Sequence, residues 1–537
     1  MNFKFSRNNL DFESKFYQRV FEILPGFLSL ASVSGLIFTA IYKPFIGSVI
    51  VMALSIYIIV RIFYLKSLVG ETNKRLSMDA EFADWNIRAK GLNGISEYLR
   101  QLYYADMIEA NSREAKSVAY HKAEISVLRQ TKDLPMRFDD VYHCLIIPLS
   151  SGSQNLLDEA LESITLSYFP PQKIFVILAL DSNVQPLLKD SISKIAQSYT
   201  NDFLKLQIVQ ATKSRGLVVS EKALAINSAI NVASEFFKSK SLPLDNVITT
   251  FLDLPRVMNS KYFAGLTYFY MASPNRTKLS FQPIASFSQD FAKSPTSQKY
   301  CQVSALCFKV PESTNPRELS NFLPSSMSLS MLIDLGCLPT DVVSFKAAFS
   351  WKAFLKYGDT YEVAPVYVRE NVDIANLTQS TKLLSQNMSH DNFTAREVEN
   401  FPILMRGLLK SKQVPLASKL KCAFVLLEKY FFYGLWPFIL TFFAWLPIPF
   451  LFREFSKPVY YFSIPQIKGR LILLGIVGFV SAFILITAIV PKAKGKQALA
   501  DSFKKLPQLV MGSLGTFFKS SLIYILAQVR LMFGSYN

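Results

Sequence analysis

Three polar positions of the sequence lie where short apolar runs end. Asp181 follows KIFVILAL (173–180), Asp253 ends NVITTFLD (246–253), and the turn 150–152 follows YHCLIIPL (142–149). A carboxylate at such a position can ligate a hard cation such as Mg²⁺, or accept a proton as a general base when it is ionised. The sequence therefore predicts a ligand site around Asp253, with Asp181 near it.

The apolar runs alternate with stretches of helical periodicity. Helices are predicted around 156–168, 185–199 and 220–237, between runs that read as strands. This alternation is typical of a mostly parallel sheet that is covered by helices on both faces. In such sheets ligands bind beyond the carboxyl ends of the strands, which is where the three polar positions fall. We therefore expect a Rossmann-like α/β domain.

Long apolar runs flank this region on both sides. Residues 20–42 and 44–60 precede it, and residues 431–452, 471–490 and 509–529 follow it. Each run can cross about 30 Å of hydrocarbon as an α-helix. The alternative, helices buried in a large soluble protein, is disfavoured because uncharged runs of this length are uncommon in soluble cores. We predict two transmembrane helices before the α/β domain and about three after it.

These patterns divide the chain into five regions. They are an N-terminal region with two transmembrane helices (1–66), an amphipathic helical connector (67–139), the α/β domain (140–375), a helical connector (376–430) and a C-terminal membrane block (431–537).

Basic residues predict the orientation of the membrane segments. Lys4, Arg7, Lys15 and Arg19 precede the first span, and only Lys43 lies in the turn after it. By the positive-inside rule the N-terminus and the large α/β domain then face the cytoplasm. The segment 491–508, with five lysines and one aspartate, is expected on the same side. The basic loop between the predicted crossings 431–452 and 471–490, with Arg453, Lys457, Lys468 and Arg470, fits this topology least well.

The chain carries a net charge of +18, from 58 Lys and Arg against 40 Asp and Glu. Attraction to anionic membrane lipids explains such a charge, at about 1 kcal/mol for each basic residue near the surface. Binding of an anionic nucleotide is a second explanation. Nucleic acid is excluded as a partner because no recognition motif accompanies the charge. Five cysteines without CxxC spacing and three dispersed histidines predict neither a zinc site nor a disulfide framework.

Four segments in sequence order carry a resemblance to a known family. They are residues 144–180, SEKALAINSAI (220–230), NVITTFLDLPRVMNSKYFAGLTYFY (246–270) and the segment 324–368. Together with the membrane architecture they resemble the membrane-embedded bacterial family-2 glycosyltransferases, which have a GT-A fold and include cellulose- and hyaluronan-synthase-like enzymes. The resemblance implies a GT-A-like domain, a nucleotide-sugar ligand and a location in the cytoplasmic (inner) membrane as a multi-pass protein.

The resemblance also implies roles for particular residues. Asp253 takes the place of the first acid of the motif that holds a divalent cation against the nucleotide diphosphate. Asp181, Lys222 and Asn227 match positions on the nucleotide side. Two of these have ordinary structural explanations, since Asp181 could cap the following helix and Lys222 could be a solvated helix residue.

The sequence departs from the family pattern at its chemical positions. Pro255 stands in place of the second metal-binding acid, and Phe345 and Lys346 stand in place of the acids that supply the general base. A lysine near its ordinary pKa is protonated and cannot accept a proton. Asp341 lies four residues before Phe345 and is the remaining candidate base. Gln386, His390 and Arg396 do not reproduce the spacing of the family's QxxRW motif, and no tryptophan accompanies them.

Three functional hypotheses follow. In the first, the chain is a catalytically impaired homologue (pseudoenzyme) in polysaccharide or glycan assembly, which binds a nucleotide-sugar or a catalytically intact glycosyltransferase partner. In the second, it is an active inverting glycosyltransferase in which Arg256 and Lys346 supply the positive charge of a metal, and Asp253 or Asp341 acts as the base. In the third, it is a membrane scaffold unrelated to sugars. Mg²⁺ or Mn²⁺ is expected as a cofactor only if activity is retained.

Overall fold

The computed structural model contains a seven-stranded sheet with the order β3-β2-β1-β4-β6-β5-β7. It describes residues 12–105, 112–128, 136–149, 154–182, 186–211, 220–253, 258–287, 291, 294–315, 325–342, 345–371, 397–451, 463–490 and 496–534. The strands are β1 (Tyr142–Leu149), β2 (Ile174–Leu180), β3 (Lys205–Gln210), β4 (Val247–Phe251), β5 (Ser280–Ser286), β6 (Ser325–Ser328) and β7 (Val363–Asn371).

The sheet is mostly parallel. β1 pairs in parallel with β2 and β4, β2 with β3, and β5 with β7, whereas β6 is antiparallel to both β4 and β5. All seven residues of β2 are buried, as expected for a strand that is covered on both faces. The predicted Rossmann-like α/β domain with a mostly parallel sheet is therefore confirmed.

Helices cover both faces of this sheet. The helices of the domain are α6 (Gln154–Thr165), α7 (Pro186–Ser198), α8 (Glu221–Ser239), α9 (Tyr262–Ala272), α10 (Thr296–Thr314), α11 (Leu329–Asp334) and α12 (Phe345–Tyr357). Cys144 and Ile146 of β1 pack in the same apolar cluster as α8, whereas Leu145 and Ile147 pack in the cluster that contains α6 and α9. This alternation is the two-residue period of a strand between two layers.

The remaining helices precede and follow the domain. They are α1 (Phe12–Tyr42), α2 (Pro44–Phe82), α3 (Trp85–Gly91), α4 (Ile95–Ala105), α5 (Ser112–Leu128), α13 (Phe401–Lys410), α14 (Leu416–Phe438), α15 (Ile464–Ile489) and α16 (Lys496–Phe533). Two of them cross the predicted region boundaries. α2 continues from the N-terminal region into the first connector, and α14 joins the second connector to the membrane block.

Five helices are long and apolar enough to cross a membrane. These candidate spans cover Lys15–Tyr42, Pro44–Ala80, Leu416–Phe443, Ile464–Ile489 and Pro507–Phe533. Two of them precede the α/β domain and three follow it, as the sequence predicts. The chain is therefore a membrane protein by the length and composition of its helices.

The polar end of α2 fixes the α/β domain to the apolar helices. Arg75 places its guanidinium 3.6 Å from the centre of the Tyr367 ring on β7. One turn later, Asp79 forms a buried ion pair of 3.1 Å with Arg88 on α3. A cation over an aromatic ring and a hydrogen-bonded buried ion pair are both directional contacts. The end of α2 is therefore held in one orientation against the sheet.

Candidate functional site

Asp253 lies at the carboxyl edge of the sheet. β4 ends at Phe251, and β1 and β2, which run parallel to it, end at Leu149 and Leu180. Asp181 directly follows β2 and therefore lies at the same edge. The structure thus places both predicted acids where ligands bind in open α/β sheets.

Two lysines bind the carboxylate of Asp253. The Nζ atom of Lys222, on the first turn of α8, lies 2.9 Å from Oδ1, and the Nζ atom of Lys346, on the first turn of α12, lies 2.8 Å from Oδ2. The side chain of Lys346 is 3% exposed, that of Asp253 is 21% exposed and that of Lys222 is 43% exposed. The group carries a net charge of +1 and is open to solvent on the Lys222 side.

This arrangement does not fit a divalent cation. Mg²⁺ and Mn²⁺ bind through carboxylate oxygens, but Oδ2 of Asp253 already accepts a charge-assisted hydrogen bond from Lys346, and Oδ1 is in an ion pair with Lys222. A cation would also have to lie within a few ångströms of two ammonium groups, which repel it. Within the described ranges, no three His, Cys, Asp or Glu side chains are grouped so that they could hold a metal. The group of Asp253, Lys222 and Lys346, taken alone, suits an anion better than a metal.

Asp181 lies on the Lys222 side of this group. Burial raises the pKa of the Asp181 carboxyl, nearby Glu221 raises it further, and Lys222 opposes both effects. Ser182 donates a 3.0 Å hydrogen bond to Oε2 of Glu221. The rim of the site therefore contains two acids, Asp181 and Glu221, beside the two lysines. Asp181 interacts electrostatically with Lys222. Asp181 and Lys222 were predicted as site residues from separate segments of the sequence, and the structure places them close enough to interact electrostatically.

Asn227 connects α8 to the segment before α12. Its Nδ2 donates to the carbonyl oxygen of Leu338 at 2.8 Å, and its Oδ1 accepts from the Leu338 amide at 2.9 Å. A backbone hydrogen bond of 3.1 Å from Ser220 to Thr340 joins the same two elements. Asn227 therefore ties the helix that supplies Lys222 to the segment that precedes the helix supplying Lys346, a structural role that the sequence did not reveal.

Asp341 lies on the same segment as Leu338 and Thr340. Its charge acts on Lys352, on the second turn of α12, whose pKa is lowered by burial. Cys337 and Asp341 raise the pKa of Lys352, and Lys356 lowers it. The structure thus associates Asp341 with a lysine other than the two that bind Asp253.

Several residues singled out from the sequence lie outside the described residues. These are the turn 150–152, Pro255, Arg256, Gln386, His390 and Arg396. The roles expected for them, including positive charge from Arg256, stay predictions.

Comparisons with known proteins give structural neighbours at low similarity. No family model and no curated protein matches the chain. Solved structures that it resembles include the mannosyltransferase PcManGT from Pyrobaculum calidifontis in complex with GDP-Man and Mn²⁺, with 14% identity and a TM-score of 0.39 over 83% of this chain and 100% of the other. Staphylococcus aureus TarS 1–349 in complex with UDP-GlcNAc shows 14% identity and a TM-score of 0.34 over 74% and 93% of the two chains. Similarity at this level does not extend to activity, substrate or binding residues.

Proposed function

We propose that this chain is a membrane-anchored, glycosyltransferase-like protein with impaired catalysis, which binds an anionic nucleotide-sugar in polysaccharide or glycan assembly without transferring the sugar. The single observation that carries the proposal is the pairing of Asp253 with both Lys222 and Lys346. This pairing lies at the position where the family resemblance implies a nucleotide-sugar site, and its two ammonium groups favour an anionic ligand.

The chemistry of sugar transfer explains why this pairing matters. Release of a nucleoside diphosphate needs positive charge at the leaving group and a base for the acceptor hydroxyl. The two lysines supply positive charge. The carboxylate that the resemblance assigns to metal binding is held by these lysines, and Lys346 occupies a position where the family pattern has an acid. Binding of the diphosphate is therefore retained in this proposal, and the base is lost.

The first experiment measures turnover. Purified full-length protein is incubated with a panel of UDP- and GDP-sugars, with Mg²⁺, with Mn²⁺ and with chelator, and released nucleoside diphosphate is quantified. We expect no release above that of Asp253→Ala. Release by the wild type that Asp253→Ala abolishes would overturn the proposal.

The second experiment measures binding. Isothermal titration with UDP and GDP should give the same affinity with and without Mn²⁺, because no metal completes the site. Lys222→Ala should weaken binding about tenfold, the effect expected when one hydrogen bond to a charged group is lost. Lys238→Ala is the matched control, since Lys238 is an exposed lysine on the last turn of the same helix. Equal effects of the two substitutions would rule out Lys222 as a ligand.

An active, metal-independent inverting glycosyltransferase is the second candidate, and the two ammonium groups at Asp253 favour it. In this case Arg256 and Lys346 stabilise the leaving diphosphate, and Asp253 or Asp341 takes the proton. Turnover that persists in chelator and is lost in Lys346→Met would establish this function. If no nucleotide binds, a membrane scaffold unrelated to sugars becomes the better explanation.

The proposal includes a location and a partner. The protein is placed in the inner membrane with the α/β domain in the cytoplasm, where nucleotide-sugars are made available, and a catalytically intact glycosyltransferase is its expected partner. Reporter fusions after residue 43 and after residue 371 should report opposite sides of the membrane. Co-purification of an enzyme with intact catalytic motifs would support the partner, and both reporters on one side would refute the orientation.

A further inference from the structure

A cavity of about 800 Å³ lies between the α/β domain and two of the apolar helices. Its walls include Tyr57 and Tyr64 from α2, and Trp351 and Phe354 from α12. Cavities of roughly 300–1,000 Å³ with mostly apolar walls and a few polar groups are typical of small-ligand sites. The size and the lining therefore suit an amphiphile.

This cavity is distant from Asp253. Glu362 lines the cavity and directly precedes β7. Because β6 is antiparallel to both β4 and β5, β5 runs in the direction of β4, and β7, which is parallel to β5, does so too. The cavity thus lies at the amino edge of the sheet and Asp253 at the carboxyl edge. The pairing register aligns Val363 with Thr249 through Ser280 and Met327. Glu362 and Asp253 are therefore separated by five residues, about 17 Å, along the strands and by three strand spacings, about 14 Å, across them.

The cavity is lined by equal numbers of cationic and acidic side chains, and most of them have an ion-pair or hydrogen-bond partner. Three cations and three acids line it, namely Arg61, Lys421, Lys429, Asp359, Glu362 and Glu428. Arg61 pairs with Glu428 at 3.4 Å, Lys429 pairs with Glu312 at 2.9 Å, and Asp359 accepts a 2.8 Å hydrogen bond from Ser418. Among the residues that the structure describes, the side chains of Lys421 and Glu362 have no such partner. Among the described residues, the cavity therefore offers one open cation, Lys421, and two carboxylates without a paired cation, Glu362 and Asp359, of which Asp359 is held by a hydroxyl group.

An apolar stripe on α14 continues into the cavity. Leu416, Leu420 and Phe424 are 71%, 64% and 70% exposed, and Phe424 also lines the cavity. Residues four apart lie on one face of a helix, so the three side chains form a continuous strip on a helix that is itself a candidate membrane span. Exposed apolar side chains on such a helix are suited to contact with acyl chains.

We propose that this cavity binds a phospholipid with a zwitterionic head. Lys421 binds the phosphate and Glu362 binds the ammonium group, while the aromatic walls and the stripe of α14 contact an acyl chain. An anionic head without an ammonium group leaves Glu362 unpaired and facing a negative charge, so the site selects against it. This inference goes beyond the proposed function, since the lipid site is separate from the Asp253 group and does not depend on nucleotide binding.

Native mass spectrometry of the full chain, released from nanodiscs that contain equal amounts of phosphatidylethanolamine and phosphatidylglycerol, tests this site. We expect phosphatidylethanolamine to be retained about tenfold better than phosphatidylglycerol, as for one hydrogen bond between charged groups. Glu362→Gln should reduce this preference to near unity. Lys421→Glu should weaken retention of both lipids about tenfold, and Lys421→Arg should restore it.

Lys412→Glu is the matched control, because Lys412 is an exposed lysine just before α14 that does not line the cavity. It makes the same charge change and should leave lipid retention unchanged. Equal retention of the two lipids by the wild type overturns the proposal. So does a Lys421→Glu variant that behaves like Lys412→Glu. Lys421 is exposed, so its substitution is expected to leave the fold intact, and circular dichroism checks this for each variant. None of these outcomes requires nucleotide binding or turnover.

Discussion

Two carboxylates of this protein are each held by two lysines, and they differ in their access to solvent. Asp253 pairs with Lys222 and Lys346 at the edge of the sheet. Glu312, near the end of α10, pairs with Lys309 at 3.2 Å and with Lys429 of α14 at 2.9 Å, and its side chain is 2% exposed. Tyr433 adds a 2.8 Å hydrogen bond to Glu312. The same three charges thus occur once at an open edge and once between packed helices.

The difference separates a structural group from a binding group. Burial raises the pKa of the Glu312 carboxyl, but Lys309 and Lys429 outweigh it and hold this pKa at about 2. Every member of the Glu312 group is at most 15% exposed, and its carboxylate, at 2%, is shielded from solvent, although Lys429 also lines the cavity beside α14. In the Asp253 group Lys222 is 43% exposed and can exchange the carboxylate for an anionic ligand. Exposure, and not the charge pattern, identifies the candidate site.

The largest effect is expected when the Glu312 group loses its acid. Glu312→Ala leaves two ammonium groups unpaired in a buried place, and breaking a buried pair in this way costs about 3–5 kcal/mol. Asp253→Ala should cost less, because water reaches Lys222. Thermal unfolding in detergent, followed by circular dichroism, ranks the two variants. A ranking with Asp253→Ala as the less stable protein would contradict this account of the two groups.

A second test uses pH. The pKa of Glu312 lies at about 2 in the folded protein and at 4.5 in the unfolded reference. A lowered pKa means that the ionised carboxylate stabilises the fold above pH 4.5, and that this contribution is lost as the pH falls toward 2. The wild type should therefore lose more stability between pH 5 and pH 3 than Glu312→Gln does, as measured by urea unfolding. Parallel pH profiles of the two proteins would show that Glu312 contributes nothing.

The sequence predicted the elements of the site better than their pairing. Apolar runs that alternate with helical stretches identify the strands, because a parallel sheet buries both of its faces. Asp181 and Asp253 could be predicted as site residues because each comes just after the end of such a run. The pairing of Lys222 and Lys346 with one carboxylate depends on where the first turns of α8 and α12 lie in the fold, and the hydrogen bonds of Asn227 tie α8 to Leu338 in the segment before α12. These elements lie more than 100 residues apart in the chain, and local patterns carry no information about such contacts.

The Glu312 group was not predicted at all. Lys309 and Glu312 are three residues apart on a helix, a spacing that commonly produces a solvated pair on the surface. Lys429 lies in the part of α14 that belongs to the predicted connector (376–430), just before the membrane block. Only the packing of α10 against α14 makes this pair buried and its charge balance important. The spacing of charged residues in the sequence therefore does not predict which of them are buried between helices.

A third, smaller effect is expected when Lys346 is removed. Lys346→Met keeps an unbranched apolar stem in the buried position and frees Oδ2 of Asp253. We expect weak Mn²⁺ binding, detected by electron paramagnetic resonance, that the wild type does not show. Lys352→Met on the same helix is the control, since Lys352 donates to the carbonyl oxygen of Cys337 and not to Asp253. Mn²⁺ binding by the wild type at the same level would mean that Lys346 does not block the carboxylate.

The smallest effect is expected for Lys222, and it separates binding from stability within the Asp253 group. Lys222→Met removes an ion pair whose cation is 43% exposed, and exposed pairs contribute only about 0.2–1 kcal/mol. The thermal midpoint should therefore change little, while the affinity for UDP or GDP falls. Added salt should weaken nucleotide binding in the wild type and much less in Lys222→Met, because the screened attraction has been removed. A large loss of stability without a change in affinity would instead make Lys222 a structural residue, like Lys429.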